Sequence, residues 1–437
     1  MTNCTKKSFQ FPALKNRKVI ANFNGGSVTS DAGGLLLREA DRQLDLLSTI
    51  AKVFPDARDQ SKVQHSILTM LRQRVFGIAL GYEDLNDHDT LRKDIALQTM
   101  VNTDTDLASS PTLCRFEHTA ARKIAIDIHK KIIDNFIASH KNPPKEIILD
   151  FDATDDLIHG LQEGRYFHGY YGDYCFLPLY VFCGKQLLVS YLRTSKKDAA
   201  HHFWAILSLL VKRFRQSWPD VKIILRADSG FCRHQALTWC EKNNVYYIVG
   251  IARNKRLEKL LQPHIQQAKK LFEDTETKQR LFAELNYSAD SWTRERKIIG
   301  KAEYTDKGSN PRFIVTNLFG KPQDLYDNGY CARGDMENRI KEVQLNLFSD
   351  RTSCHDWWAN QLRMLLSSLA YIYIEHIRRT MLIGTELENS QVNTIRLRLF
   401  KIGAVVVRNT RSVRFSLSSY FPLQKLFSDV YAKLAPT

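Results

Sequence analysis

Apolar residues recur at helical spacing in the first third of the chain. Val63, Ile67, Met70, Leu71, Val75 and Ile78 fall on one face of a helix, and Ser110 followed by Pro111 reads as an N-cap and first helical position. A short β start, Val19 to Phe23 and the turn Asn24-Gly25-Gly26, precedes them. Residues 1–140 are therefore expected to form a mainly helical N-terminal domain, and no helix-turn-helix spacing stands out within it.

From residue 146 the period shortens to two. Glu146 to Asp152 reads as one strand; Tyr174 to Phe182 and Gln186 to Arg193 read as two more, joined as a hairpin through Cys183-Gly184-Lys185. A helix is expected over Asp198 to Ser217, a strand over Val221 to Leu225, a helix over His234 to Lys242 and a strand over Val245 to Gly250. The order β-β-β-α-β-α-β, with a hairpin inside an otherwise crossover-connected sheet, is that of an RNase H-like core. The fold expected is thus α/β: an RNase H-like mixed-sheet catalytic core at 141–261, interrupted by a β-rich insertion at 262–326. The insertion carries strand patterns at Arg280 to Tyr287, Arg296 to Tyr304 and Arg312 to Asn317. A helical second part of the core follows at 327–380, then a basic C-terminal region at 381–437. Within that tail Ile395 to Leu399 and Val413 to Leu417 alternate like a basic-faced hairpin.

The apolar run Leu362 to Ile377 is broken by Arg363, Ser367, Ser368 and Glu375 and falls short of the ~20 residues needed to span a bilayer, so a buried helix is expected there. The N-terminus shows no signal-peptide stretch, and a cytoplasmic protein, nucleoid-associated when bound to DNA, is expected. The eight cysteines, from Cys4 to Cys354, form no CxxC pair and read as free thiols rather than a zinc site. Charge then narrows the partner: 63 Lys and Arg against 47 Asp and Glu give +16, which points to a polyanion, with nucleic acid as the first candidate. Residues 380–437 alone hold eight basic and three acidic residues, a net +5.

Three segments carry candidate chemistry. Asp150 and Asp152 share a face of their strand, and two adjacent carboxylates repel unless a cation or proton lies between them. Asp228 ends an apolar strand ahead of Ser-Gly, at the carboxyl edge where α/β sheets place their sites; capping the next turn is its plain structural alternative. Tyr330, Arg333, Glu337, Lys341 and Gln344 fall within an arc of about 80° on a helix at 100° per residue, beside an apolar stripe of Met336, Ile340, Val343 and Leu347. Two strand acids and a helix acid can converge on a pair of divalent ions that activate a water or a 3′-hydroxyl against a phosphodiester.

With these motifs, ILDFDATD, LRADSGF and Y-x2-R-x3-E, the chain resembles the DDE transposases of bacterial insertion sequences, in the group with a β insertion before the catalytic Glu. The opening NGGSVTSDAGGLLLREAD extends the likeness over most of the chain. The resemblance implies DNA transposition, a form of DNA recombination, by a mobile element's own enzyme. It implies binding to terminal inverted repeats, then metal-dependent DNA cleavage and strand transfer. Asp152, Asp228 and Glu337 would be the triad holding two Mg2+ ions, with Mn2+ as a substitute. Asp150, facing the same way as Asp152, is an equal candidate for the first ligand. Tyr330 and Arg333 match family positions that contact the transposon-end DNA. The family signature has Lys seven residues after the Glu; here that position is Gln344, and Lys341 lies one turn earlier. The partners implied are double-stranded DNA, as transposon ends and target, and further copies of the chain in a paired-end complex, with no membrane.

Three other readings start from the same residues. Asp150-Phe-Asp152-Ala-Thr154 also looks like the D-x-D-x-T strand of haloacid dehalogenase-type phosphatases, in which the first Asp is a nucleophile. An RNase H-like nuclease that cuts without joining would use the same triad. A DNA-binding protein derived from the scaffold would be expected to have lost one of the acids, and none is missing. His168, in the loop Tyr166 to Tyr171, has no role fixed by its neighbours.

Overall fold

The computed structural model describes residues 8–434 and divides into two compact units, one taking the chain up to Glu117 together with the stretch from Leu369 on, the other His118–Ser368. Cys4 lies outside the described residues.

The second unit is a mixed sheet with helices against it. Its elements run α1 (Arg122–Ala138), β1 (Glu146–Ala153), β2 (Leu179–Cys183), β3 (Gln186–Tyr191), α2 (Phe203–Ser217), β4 (Lys222–Ala227), α3 (His234–Lys242) and β5 (Tyr246–Ile251). There follow α4 (Lys255–Thr275), β6 (Gln279–Tyr287), β7 (Arg296–Thr305), β8 (Arg312–Thr316) and α5 (Gly334–Lys341). The strand order is β6-β7-β8-β5-β4-β1-β2-β3. Strands β1, β4 and β5 are parallel, β2 and β3 form the antiparallel hairpin beside β1, and this is the RNase H-like mixed sheet. Helix α1, which lies in the N-terminal third, packs on this unit: His129 sits between the carbonyls of Ala125 and Ser190 at 2.8 and 3.1 Å.

The alternation of β1 explains its two faces. Leu149 and Phe151 point into the larger core, with Leu225, Ala227 and Val249 of neighbouring strands and Phe203, Leu207 and Leu237 of the helices. Ile148 points the other way, toward a smaller cluster of Ile224, Ile248, Leu325, Tyr326 and Tyr330. Asp150 and Asp152 share the parity of Ile148, so the second face is apolar at its middle and acidic toward its carboxyl edge.

The β-rich insertion joins this sheet instead of standing apart, since β8 pairs antiparallel with β5 and β7 with β8. Its first element is a helix, α4, that the charged sequence there does not advertise. Asn254 caps it, accepting from the Leu257 N–H at 3.0 Å, and Leu257, Leu261 and Ala268 are its buried stripe. Tyr174 to Phe182, expected as one strand, is two. Pro178 has no N–H for a ladder, and the chain leaves a small sheet at Asp173–Phe176 and enters the main one at Leu179.

The first unit is mainly helical. Ser66 caps the helix Ile67–Leu80, accepting from the Thr69 N–H at 3.1 Å. Ser110 does not cap as expected: its hydroxyl donates to the Asp89 carboxylate at 2.9 Å. The tail also differs from its pattern. Residues 392–400 are helical and the hairpin is Ala404–Arg408 with Val413–Leu417, completed by Ser27–Thr29. The alternation at 395–399 misleads because Arg396 is an inward residue, buried and donating to the carbonyls of Ala79 and Ile78 at 2.8 and 3.2 Å, where a helix end leaves acceptors unsatisfied. Leu362 to Ile377 lies within a helix, Trp357–Thr380. No helix among the described residues is long and apolar enough to cross a membrane, and Cys331 is the exposed one of the described cysteines.

Candidate active site

Parallel pairing of β1 and β4 sets Arg226 beside Asp150 and so carries Asp228, the next residue of that parity, alongside Asp152 at the carboxyl edge. Asp228 opens a tight turn over Ser229–Phe231, with its Oδ1 accepting from the Gly230 N–H at 2.8 Å. The capping role is therefore real, and it fixes the carboxylate at the sheet edge.

The third acid comes from a continuous helical run that starts at Pro322, in the first helical position where its missing N–H costs nothing. The run contains wide turns at Leu325–Tyr330 and Glu342–Asn346 on either side of α5. Leu325, Tyr326 and Tyr330 pack it on the apolar middle of the sheet. Gly250 of β5 makes room for this contact: a Cβ there would lie 2.6 Å from the Tyr330 hydroxyl and 2.9 Å from the Ser229 nitrogen.

Arg333 ties the acids together. Its Nη1 donates to Asp152 Oδ2 at 2.8 Å and its Nη2 to Glu337 Oε1 at 2.9 Å. Asp152 and Arg333 are largely buried, whereas the Glu337 side chain is 50% exposed. Burial pushes the Asp152 carboxyl up to about 6; Arg333 pulls it down, and Asp228 and Glu337 push it further up. Burial also raises Tyr330, on which Arg333 and Asp228 both act. Asp152, Asp228, Glu337, Arg333 and Tyr330 thus form one electrostatic group.

The remaining candidates are held differently. Asp150 is 2% exposed and held bidentately by Arg226, through Nε to Oδ1 and through Nη2 to Oδ2 at 2.8 Å. Arg226 also donates to the Gly329 carbonyl at 2.8 Å. The D-x-D-x-T reading needs this carboxylate as a nucleophile, and here it is sealed. Gln344 is buried in the second wide turn, which rotates it off the helical arc; it donates to the Asp155 carbonyl at 3.0 Å. Lys341 is exposed. His168 lies in the small sheet with its ring 5.0 Å from that of Tyr171.

Arg226 and Gly250 escape sequence reasoning, although each leaves a trace. One is a charge inside the apolar strand KIILRA, the other a glycine late in the strand YYIVGI.

The matched family is the transposase DDE domain, group 1, and the match runs over residues 11–437. The chain belongs to this DDE transposase family. No curated protein matches it. Among solved structures it is similar to piggyBac transposase in a cryo-EM structure of a synaptic complex with hairpin DNA. That likeness is at 9% identity and a TM-score of 0.43, covering 94% of this chain and 86% of that one. DDE transposases act on DNA and in general use divalent metal. Among the described residues no three His, Cys, Asp or Glu side chains stand close enough to grip one ion, and in this site a guanidinium lies between two of the acids. The donor set nevertheless fits a hard cation: carboxylate oxygens only, in a group where Arg333 is the cation already drawn in.

Proposed function

We propose that the chain is the transposase of a bacterial insertion sequence. It would bind the terminal inverted repeats of its element, cut the DNA at each end and join the freed 3′-hydroxyl to target DNA. The observation that carries this reading is the gathering of Asp152, Asp228 and Glu337 around Arg333 at the carboxyl edge of the sheet. Those three carboxylates would hold the metal, two Mg2+ ions with Mn2+ able to replace them. When bound, the ions supply activation of the attacking oxygen and charge for the leaving one.

The chain's own residues account for the rest. Asp228 is set by its turn and Asp152 by the strand ladder, so the strand acids need little reorganisation, while Glu337, the most exposed, closes the set from the helix. Tyr330, Arg333 and Lys341 hold the DNA backbone; Gln344 braces the loop after β1. Pairing of two ends implies at least two copies of the chain in the active complex.

The test is cleavage and strand transfer on labelled DNA carrying the element's own ends, with Mg2+, comparing wild type with Glu337→Gln. Joined products are expected from wild type, and a drop of roughly 10³-fold from the variant, the loss of several kcal/mol of charge stabilisation. Cleavage without joining would identify a nuclease, and specific end binding without cleavage a binding protein.

A further inference from the structure

Of the two arginines bonded to Asp150, Asp152 and Glu337, one is committed inward. Arg226 is closed off by Asp150 and the Gly329 carbonyl, but Arg333 has two single contacts, to Asp152 and Glu337, each from a different nitrogen. The Glu337 arm is half exposed, and the residue after Arg333, Gly334, is exposed as well. A guanidinium stays charged at any accessible pH, so it cannot release the acids by losing a proton. It releases them only by moving to another anion, and the anion that suits its planar fork is a phosphate.

We infer that Arg333 is an internal counter-ion: it keeps Asp152 and Glu337 from taking a divalent ion in the free protein, and DNA phosphate draws it off so that metal loads on the DNA-bound enzyme. This rests on the triad reading above. The electrostatics run in one direction. With Arg333 in place two of the three carboxylates are compensated, and an incoming ion must displace the guanidinium before it gains both. With Arg333 on a phosphate, three carboxylates face one another uncompensated, and a divalent ion is the group that relieves them. Coupling of this kind is reciprocal, so metal strengthens the grip on DNA by the factor by which DNA strengthens the grip on metal. An enzyme built this way does not carry a charged hydrolytic centre when no DNA is present.

The experiment is Mn2+ binding to the full chain, followed by the electron paramagnetic resonance signal of free Mn2+, for wild type, Arg333→Gln and Arg333→Lys, with and without a DNA duplex. Without DNA, Arg333→Gln is expected to bind Mn2+ roughly tenfold or more tighter than wild type, the loss of a charge-assisted competitor. Arg333→Lys should fall between them, because an ammonium keeps the charge and loses the fork; it also serves if the Gln variant does not fold, as judged by circular dichroism. With duplex, after subtraction of Mn2+ bound by DNA alone, the gap between wild type and Arg333→Gln should close. The inference is overturned if neither variant binds Mn2+ tighter than wild type, or if the gap is the same with duplex as without. Asp228→Asn separates the two levels of argument: it should weaken Mn2+ binding in wild type and in Arg333→Gln alike. If it changes neither, the ion binds outside the triad, and the reading of the site falls together with the role of Arg333.

Discussion

Strand β1 carries two aspartates on one face, and each meets an arginine, yet the two pairs are opposites. Asp150 and Arg226 are cross-strand neighbours in the sheet interior, bonded through both carboxylate oxygens and almost without exposure. Asp152 gives one oxygen to an arginine that divides itself between two acids, at the edge where Asp228 and Glu337 stand. Burial raises both aspartates; at Asp150 the main opposing influence is its bidentate partner Arg226, with Arg333 a lesser one, whereas at Asp152 it is Arg333, and both Asp228 and Glu337 add to the rise. An ion pair is thus not a sign of structure or of function by itself. What separates them is whether the cation is shared and whether it has somewhere else to go.

The sharpest way to break this comparison is to remove one partner from the sealed pair. Asp150→Ala leaves the Arg226 guanidinium buried and uncompensated, at a cost of about 3–5 kcal/mol, and adding Arg226→Met should recover most of it because desolvation of the pair is then avoided. Asp152→Ala should cost clearly less in metal-free protein, since Arg333 retains Glu337. Chemical denaturation of the three variants checks the order. Equal losses for Asp150→Ala and Asp152→Ala would erase the distinction.

A smaller effect concerns pH. Asp152 titrates near 6 in the folded metal-free protein against an ordinary value of 3.8. The folded state therefore holds this proton more tightly, so the group's contribution is fully present below about pH 4 and is lost as pH rises through about 6. The loss is on the order of 3 kcal/mol at most. Asp152→Asn should consequently gain on wild type between pH 4 and 6 and hold a constant difference above 7, measured as unfolding midpoints without divalent ions. A difference that shrinks over that window would mean that Arg333 outweighs burial and the neighbouring acids.

The acidic edge was readable from the sequence because strand periodicity needs only local information: residues two apart share a face, and an acid after an apolar strand lies at its end. The separation of Asp150 from Asp152 was not, because it depends on which strand lies beside β1 and in what register, and Arg226 is 76 residues away from Asp150. Helix α4 was hidden by its charge and by Pro263 inside it. The alternation at 395–399 imitates a strand because an arginine can be an inward residue when helix carbonyls receive it. For Gln344, the ideal helical arc assumes uniform turns, and one wide turn is enough to move a side chain from the arc of Arg333, Glu337 and Lys341 to a backbone carbonyl.

That last displacement gives the finest test of the contrast between sealed and open groups. Lys341 is exposed on the same helical run as Glu337, while Gln344, at the position where the family signature has Lys, is buried and braces the loop after β1. Lys341→Ala should lower DNA affinity uniformly across sequences and reduce the slope of log affinity against log salt by about one, the signature of one lost phosphate contact. Gln344→Ala should leave that slope unchanged and instead cost about 1 kcal/mol of stability, the worth of the hydrogen bond to the Asp155 carbonyl. Binding isotherms over a range of salt distinguish the two. A slope that falls with Gln344→Ala and not with Lys341→Ala would mean that the wide turn rewinds on DNA and returns residue 344 to the arc, and the helix carrying Glu337 would then be a moving part of the site rather than its fixed wall.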